Sequence, residues 1–190
     1  MDLLPVIPTR IRSLRPNVTR EAALGEFSRG TFSALQTALF GPLRSIADFY
    51  IPFRLFQVEI LNRGNRDQRI FGLDAVIGVL ELYHFEQLPS ERDVVYCESR
   101  NCAETLLEEP RAKELLIMKV RRLVFSAGFF RIRNLSISAQ PIAGEIHVPY
   151  WVGFRGRGAH AHAQLMDAVR RRVEGAKVRH LLKAWLTETH

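Results

Sequence analysis

Two thiols and two closely spaced imidazoles are the groups in this sequence most able to do chemistry. Cys97-Glu-Ser-Arg-Asn-Cys102 is a C-x4-C pair, and His160 and His162 are separated by one residue. Zinc sites need four ligands, usually with tighter spacing in at least one half. His84, or His160 and His162, would complete a Cys2His2 set with the two cysteines. On a strand His160 and His162 share a face, which suits a metal or an anion. The C-x-x-C spacing of a redox dithiol is absent. These pairs open one reading, a metal-dependent or thiol enzyme using Cys97/Cys102 and His160/His162. The plainer reading is two free thiols and a pair of groove histidines. The inventory favours no catalytic residue, no metal and no cofactor, so it leaves open whether the chain is an enzyme.

Other candidates reduce to structural roles. Gly153-Phe-Arg-Gly-Arg-Gly158 is glycine-rich but lacks the Lys-Ser/Thr of a phosphate loop and the G-x-G-x-x-G order. A turn between strands explains it. No serine sits in a G-x-S-x-G elbow. Asp74 and Asp167 read as turn-formers that bond to following backbone N–H groups. Arg170, Arg171 and Arg172 with Lys177, Arg179 and Lys183 give a basic helix face. That face is either solvated or turned to an anionic partner such as a nucleic-acid backbone. The nearby Tyr150, Trp151 and Phe154 suit a core strand or an interface better than a base-stacking platform.

Composition bounds these readings. A chain of 190 residues, 47% hydrophobic and 25% charged, suits one domain or two small halves sharing a core. Its net charge of +7 invites an anionic partner. However, Glu81–Glu109 carries eight acids, so the charge is segregated along the chain. A homodimer could use that segregation, and nucleic acid is not the expected partner. No apolar stretch approaches the ~20 residues that span a bilayer. Two cysteines are too few for a secreted scaffold, and residues 1–16 lack an apolar leader core, so a reduced, cytoplasmic setting is expected.

The elements that position these groups follow from patterning. Residues 1–18 read as an extended arm, because Pro5, Pro8 and Pro16 forbid a helix. Thr19 caps a helix running to Leu39, stopped by Gly41-Pro42. Tyr50–Ile60 and Gln68–Leu73 read as a hairpin, followed after Gly78 by a short strand at Leu82–Phe85. Asn101 with Glu104 suggests a capping box for a second helix, in which Pro110 is a kink or a first-turn residue. Phe129–Ser138, Glu145–Phe154 and His160–Met166 read as strands. Gln140–Gly144 is a connection, and Arg155–Gly158 a turn. Arg170–Leu186 reads as a helix with Val173, Val178, Leu181, Leu182 and Trp185 inward.

Two segments rhyme. Tyr50-Ile-Pro-Phe53 precedes Leu73-Asp-Ala-Val76 and Glu81, while His147-Val-Pro-Tyr150 precedes Met166-Asp-Ala-Val169 and Glu174. Each copy follows a helical segment. The expected fold is α+β, with two related helix-plus-antiparallel-sheet halves at 19–88 and 89–190 packed as a pseudo-two-fold pair. Arg15–Leu24 resembles the opening of PepSY-type domains. Asp74-Ala-Val-Ile-Gly-Val-Leu-Glu81 is similar to their closing strand-turn, although Arg171 stands where the second copy should match Gly78. The resemblance implies a non-catalytic helix-over-sheet module with inhibitory or ligand-binding roles. The expected function is therefore an interaction or ligand-binding module for an unknown protein or small ligand. Its candidate crevice is lined by Tyr50, Phe53, Tyr150 and Trp151.

Overall fold

A computed structural model describes residues 8–127, 133–156 and 162–188. The chain is α+β, with eight strands and four helices among the described residues. The elements are β1 (Thr9–Leu14), α1 (Arg20–Ser28), α2 (Gly30–Phe40), β2 (Leu43–Asn62), β3 (Asn65–Asp74) and β4 (Tyr83–Phe85). They continue with β5 (Val94–Ser99), α3 (Glu109–Ser126), β6 (Ser136–Arg155), β7 (His162–Asp167), β8 (Arg172–Val173) and α4 (Ala176–Glu188). The strands pair in the order β4-β3-β2-β6-β1-β5, with β7 on β6 and β8 on β7.

Chain contacts define two compact units. The first draws on the described residues of Met1–Ile51, Val94–Ala103 and His147–His190, the second on Pro52–Asp93 and Glu104–Ile146. Strands β2 and β6 each contribute to both.

In the first unit, Thr19 caps α1 by accepting from the Ala22 N–H at 3.3 Å. Backbone N–H donation, with help from Thr19, holds the Glu21 carboxyl below its ordinary value. Helix α1 buries Ala23 and Phe27 against Val18, Ile46 and Met166. Gly153 is required beneath it, because a Cβ there would meet Phe27 and Leu43 at 2.9 Å. The single helix expected from Thr19 to Leu39 is broken at Arg29, which is extended at φ −105° and ψ 157°. The arm is also more than an arm: β1 pairs antiparallel with β5 from Thr9↔Ser99 to Leu14↔Val94. Both strands were missed because prolines flank one and a polar linker precedes the other.

In the second unit, β2 and β3 form a hairpin from Phe53↔Asp74 to Asn62↔Asn65. Its tip residues Arg63 and Gly64 have φ of 55° and 80°. Two positive-φ residues match the twist of the strands they join. Helix α3 begins at Glu109 with Pro110 in its first turn, not at the capping box expected at Asn101. Asn101 instead donates to Asp48 at 3.1 Å. The α3 stripe Ala112, Leu116 and Val120 buries against Phe56, Val58, Phe71 and Leu73. Each fully buried large side chain contributes about 1.5–3 kcal/mol.

Three further expectations change. Strand β6 runs unbroken through Pro141, where a connection was expected; this proline is exposed, and a proline is tolerated where no ladder donor is needed. Helix α4 starts at Ala176, because Arg171 takes φ 57° and Arg172–Val173 pair with β7. Val178, Leu181 and Leu182 are buried as expected, but Val173 is exposed. Residues 128–132 and 157–161, which hold parts of the expected Phe129–Ser138 strand and Arg155–Gly158 turn, lie outside the described residues.

Candidate functional site

The second unit contains a cavity of about 540 Å³ between the β2–β3 hairpin and α3. Hairpin geometry and helix periodicity build it together. Alternation along β2 and β3 sends Ile60 and Phe71 toward α3. The last turns of α3 present Val120, Leu123, Val124 and the following Ala127. These six residues make an apolar floor. The rim is polar, formed by Asn62, Arg63, Asn65, Asp67, Arg69 and His84.

Several rim groups are held in place. The Arg63 N–H donates to the Arg133 carbonyl at 2.9 Å, and the Arg133 N–H donates to Asn62 Oδ1 at 3.0 Å. Arg69 clamps Asp67, with Nε at 2.8 Å and Nη2 at 2.7 Å from Oδ2. His84 packs on the Phe71 ring at 5.3 Å between centroids. A volume of this size, with an apolar floor and convergent polar groups, suits a small amphipathic molecule. A smaller hollow of about 260 Å³ in the same unit is lined by Arg54, Glu109 and Glu145. There the Thr105 hydroxyl donates to Glu145 at 2.9 Å, and Arg54 lies 3.7 Å from Glu109.

The aromatic residues expected to line a crevice occupy different environments. Phe53 is fully buried and packs edge-on against Tyr83 at 5.4 Å. Tyr150 is buried opposite Asp167. Trp151 is half-buried, and its Nε1 donates to the Val18 carbonyl at 2.8 Å. The half-buried Tyr50 bridges to Cys102 across a short parallel contact.

Tyr50 belongs to a polar cluster of the first unit that includes both cysteines. Ser99 and Asn101 donate to the two oxygens of Asp48 at 3.4 and 3.1 Å. The Cys102 thiol donates to the Ser99 carbonyl at 3.8 Å. Burial pushes the Cys102 thiol up to about 11, and the Cys97 and Asp48 charges add to the rise. Burial likewise raises the Tyr50 phenol, helped by Cys97 and Asp48. Both cysteines are free thiols. Among the described residues no three His, Cys, Asp or Glu side chains come together as a metal site. His160 lies outside the described residues. His162 stacks flat on Phe40 at 3.9 Å, beside the cross-strand Arg155.

Asp74 and Asp167 are both fully buried. Asp74 accepts from the N–H groups of Ile77, Gly78 and Leu80 at 3.0, 2.7 and 2.8 Å. Asp167 accepts from Val169 and Arg170, each at 2.8 Å. They fix turns.

The cavity itself was not singled out in the sequence. Val120, Leu123 and Val124 were legible as an apolar helix face, and Asn62–Asp67 as a turn. Their convergence is a tertiary fact with no local signal. Compared with known proteins, the chain matches no family model, no curated sequence and no solved structure.

Proposed function

We propose that the chain is a non-enzymatic binding module whose ligand is a small amphipathic molecule held in the cavity under α3. The carrying observation is the pairing of a six-residue apolar floor with a polar rim around about 540 Å³. The floor takes an alkyl or aromatic body by burial, and the amides of Asn62 and Asn65 with His84 orient a polar head. The test is titration with 1-anilinonaphthalene-8-sulfonate, read by fluorescence and by calorimetry. One saturable site is expected, abolished by Val124→Trp with the circular dichroism unchanged. Absence of a saturable site, or equal binding by Val124→Trp, overturns the reading.

We also infer that the chain is a duplication of a helix-plus-hairpin unit, the two copies forming a pseudo-two-fold pair. Supporting it, the Pro52 carbonyl accepts from Ala75 at 2.8 Å, and the Pro149 carbonyl from Ala168 at 3.0 Å. The Ala75 carbonyl then accepts from Leu106 and Leu107, the Ala168 carbonyl from Asn17 and Val18. Those residues lead into α3 and α1. Each leader ends five residues before a fully buried alanine, Ala112 or Ala23, itself one turn before Leu116 or Phe27. The parallel bridges Tyr50↔Cys102 and His147↔Ser13 stand at matching positions, two residues before the proline and four before the leader. The PepSY-like likeness belongs to this reading, and its implied ligand-binding role agrees with the cavity.

In both cases the hairpin of one sequence half bonds to the helix leader of the other. Fragments 1–88 and 89–190 are therefore expected to fold only together, as a one-to-one complex. Independent folding of either fragment, followed by circular dichroism and native mass, overturns the exchange.

A further inference from the structure

Helix α2 of the first unit carries no charged residue from Gly30 to Phe40. It is not a core helix. Leu35 is 56% exposed, Leu39 65% and Phe40 36%, and the neighbouring Leu24 of α1 is 43% exposed. Ala34 and Ala38 are exposed between them. One helix thus presents a contiguous apolar surface, the kind of feature that marks an interaction site.

The charge around that surface narrows its partner. The segments that make up the first unit hold fifteen Lys and Arg against eight Asp and Glu, a net +7; those of the second unit hold twelve of each. The positive excess of the chain therefore lies wholly on the unit that carries α2. Exposed Arg29 precedes the helix and exposed Arg44 follows it. Phe40, at its end, stacks on His162, whose proton affinity is lowered in part by Arg179 of α4; that cation lies near the same end. Arg20 is exposed at the start of α1, and so are the two acids of that helix, Glu21 and Glu26.

We propose that α2 docks the protein on an anionic lipid surface, with Leu35, Leu39 and Phe40 entering the headgroup–acyl boundary. An uncharged helix with protruding leucines, framed by arginines on a unit of net +7, matches the two terms of interfacial binding: apolar burial and attraction to anionic headgroups. A second copy would bring another +7 unit against the first, which like-charge repulsion disfavours. No helix among the described residues is long and apolar enough to cross a membrane, so α2 lies in the interface plane.

The test is co-sedimentation of the whole chain with phosphatidylcholine vesicles, with and without phosphatidylserine. Binding is expected to the anionic vesicles, weakening as salt rises. Because Leu35 and Leu39 are exposed, Leu35→Glu with Leu39→Glu is expected to keep the circular dichroism and lose binding roughly tenfold or more. Arg29→Gln with Arg44→Gln is expected to weaken binding to the anionic vesicles by about thirtyfold, two cations at roughly 1 kcal/mol each. Equal binding to both vesicles overturns the proposal. So does failure to bind either, whether the chain is monomeric or is a dimer that the leucine variants dissociate; the dimer outcome would assign α2 to a contact between copies.

Discussion

Gly78 and Arg171 occupy the same place in two turns: each stands four residues after a buried aspartate, and each takes the left-handed backbone, at φ 69° and 57°. In sequence the arginine is a mismatch between the two rhyming segments. In the structure it adopts the glycine conformation, and its guanidinium donates to the Asn17 carbonyl at 2.9 Å.

The two positions respond differently to substitution. A Cβ on Gly78 would meet Leu115 at 2.7 Å and Leu107 at 3.1 Å, in addition to the strained φ. Gly78→Ala is therefore expected to cost about 2–3 kcal/mol. Arg171→Gly relieves the strain but loses the bond to Asn17 and gains unfolded-state freedom, so its net effect is expected within about 0.5–1 kcal/mol of zero. Urea unfolding of both variants checks the contrast.

The buried aspartates that set up these turns are expected to be costly to remove. Asp74→Ala strands three backbone N–H groups, and Asp167→Ala at least two. The larger loss, about 2–4 kcal/mol, is expected at Asp74, because its Gly78 and Leu80 donors are buried; about 1–2 kcal/mol is expected at Asp167, whose donors are part-buried. Denaturant midpoints at neutral pH provide the measurement; a change under about 0.5 kcal/mol contradicts the turn-forming role.

Arg155 is 1% exposed and serves the helix ends above it. It donates to the Phe27 carbonyl, to Thr37 Oγ1 at 3.0 Å and to the Gly41 carbonyl at 3.3 Å. Arg155→Met keeps much of the volume and removes those donors. A loss of about 3 kcal/mol is expected. Hydrogen exchange is expected to locate the loosening in α1 and α2.

His162 gives the stability a pH dependence of known sign. Burial lowers its affinity for a proton below the ordinary 6.5, with Arg179 and Arg155 adding to the effect. The unfolded chain then binds the proton more readily than the folded one. Its contribution is intact above the unfolded value and is lost as pH falls through about 6.5 toward the lower folded value. His162→Phe is expected to flatten the thermal-melting profile over that interval. An unchanged slope contradicts the assignment.

The Cys102 thiol, pushed up to about 11, is a poor nucleophile near neutrality. Iodoacetamide at pH 8 is expected to label it slowly in the folded chain and promptly in guanidinium, as read by peptide mass. Fast labelling in the native state contradicts its burial.

Local chemistry made part of this architecture legible. The Thr19 cap, the β2–β3 hairpin and the short β4 follow from capping, alternation and turn residues. Pro110 sits in a first helical turn, one of the two places expected for it. Strands β1 and β5 carry no clean alternation, and each is completed by pairing with the other, far along the chain. Asn101 had the look of a helix cap because its partner Asp48 is invisible to local spacing. Phe53 and Tyr150 show the same limit in reverse: their aromatic type suggested a binding surface, whereas both side chains are buried.

Strands β2 and β6 each serve both units, and this orders events during synthesis. The second unit is complete in sequence once Ile146 has been made. The first cannot close until the ribosome has added Ala168, whose carbonyl receives the N–H groups of Asn17 and Val18. The leader of α1 is thus tied to a hairpin made much later in the chain. Until that hairpin is made, α1 can pack on Val18 and Ile46 but lacks Met166 and the close approach of Gly153 to Phe27.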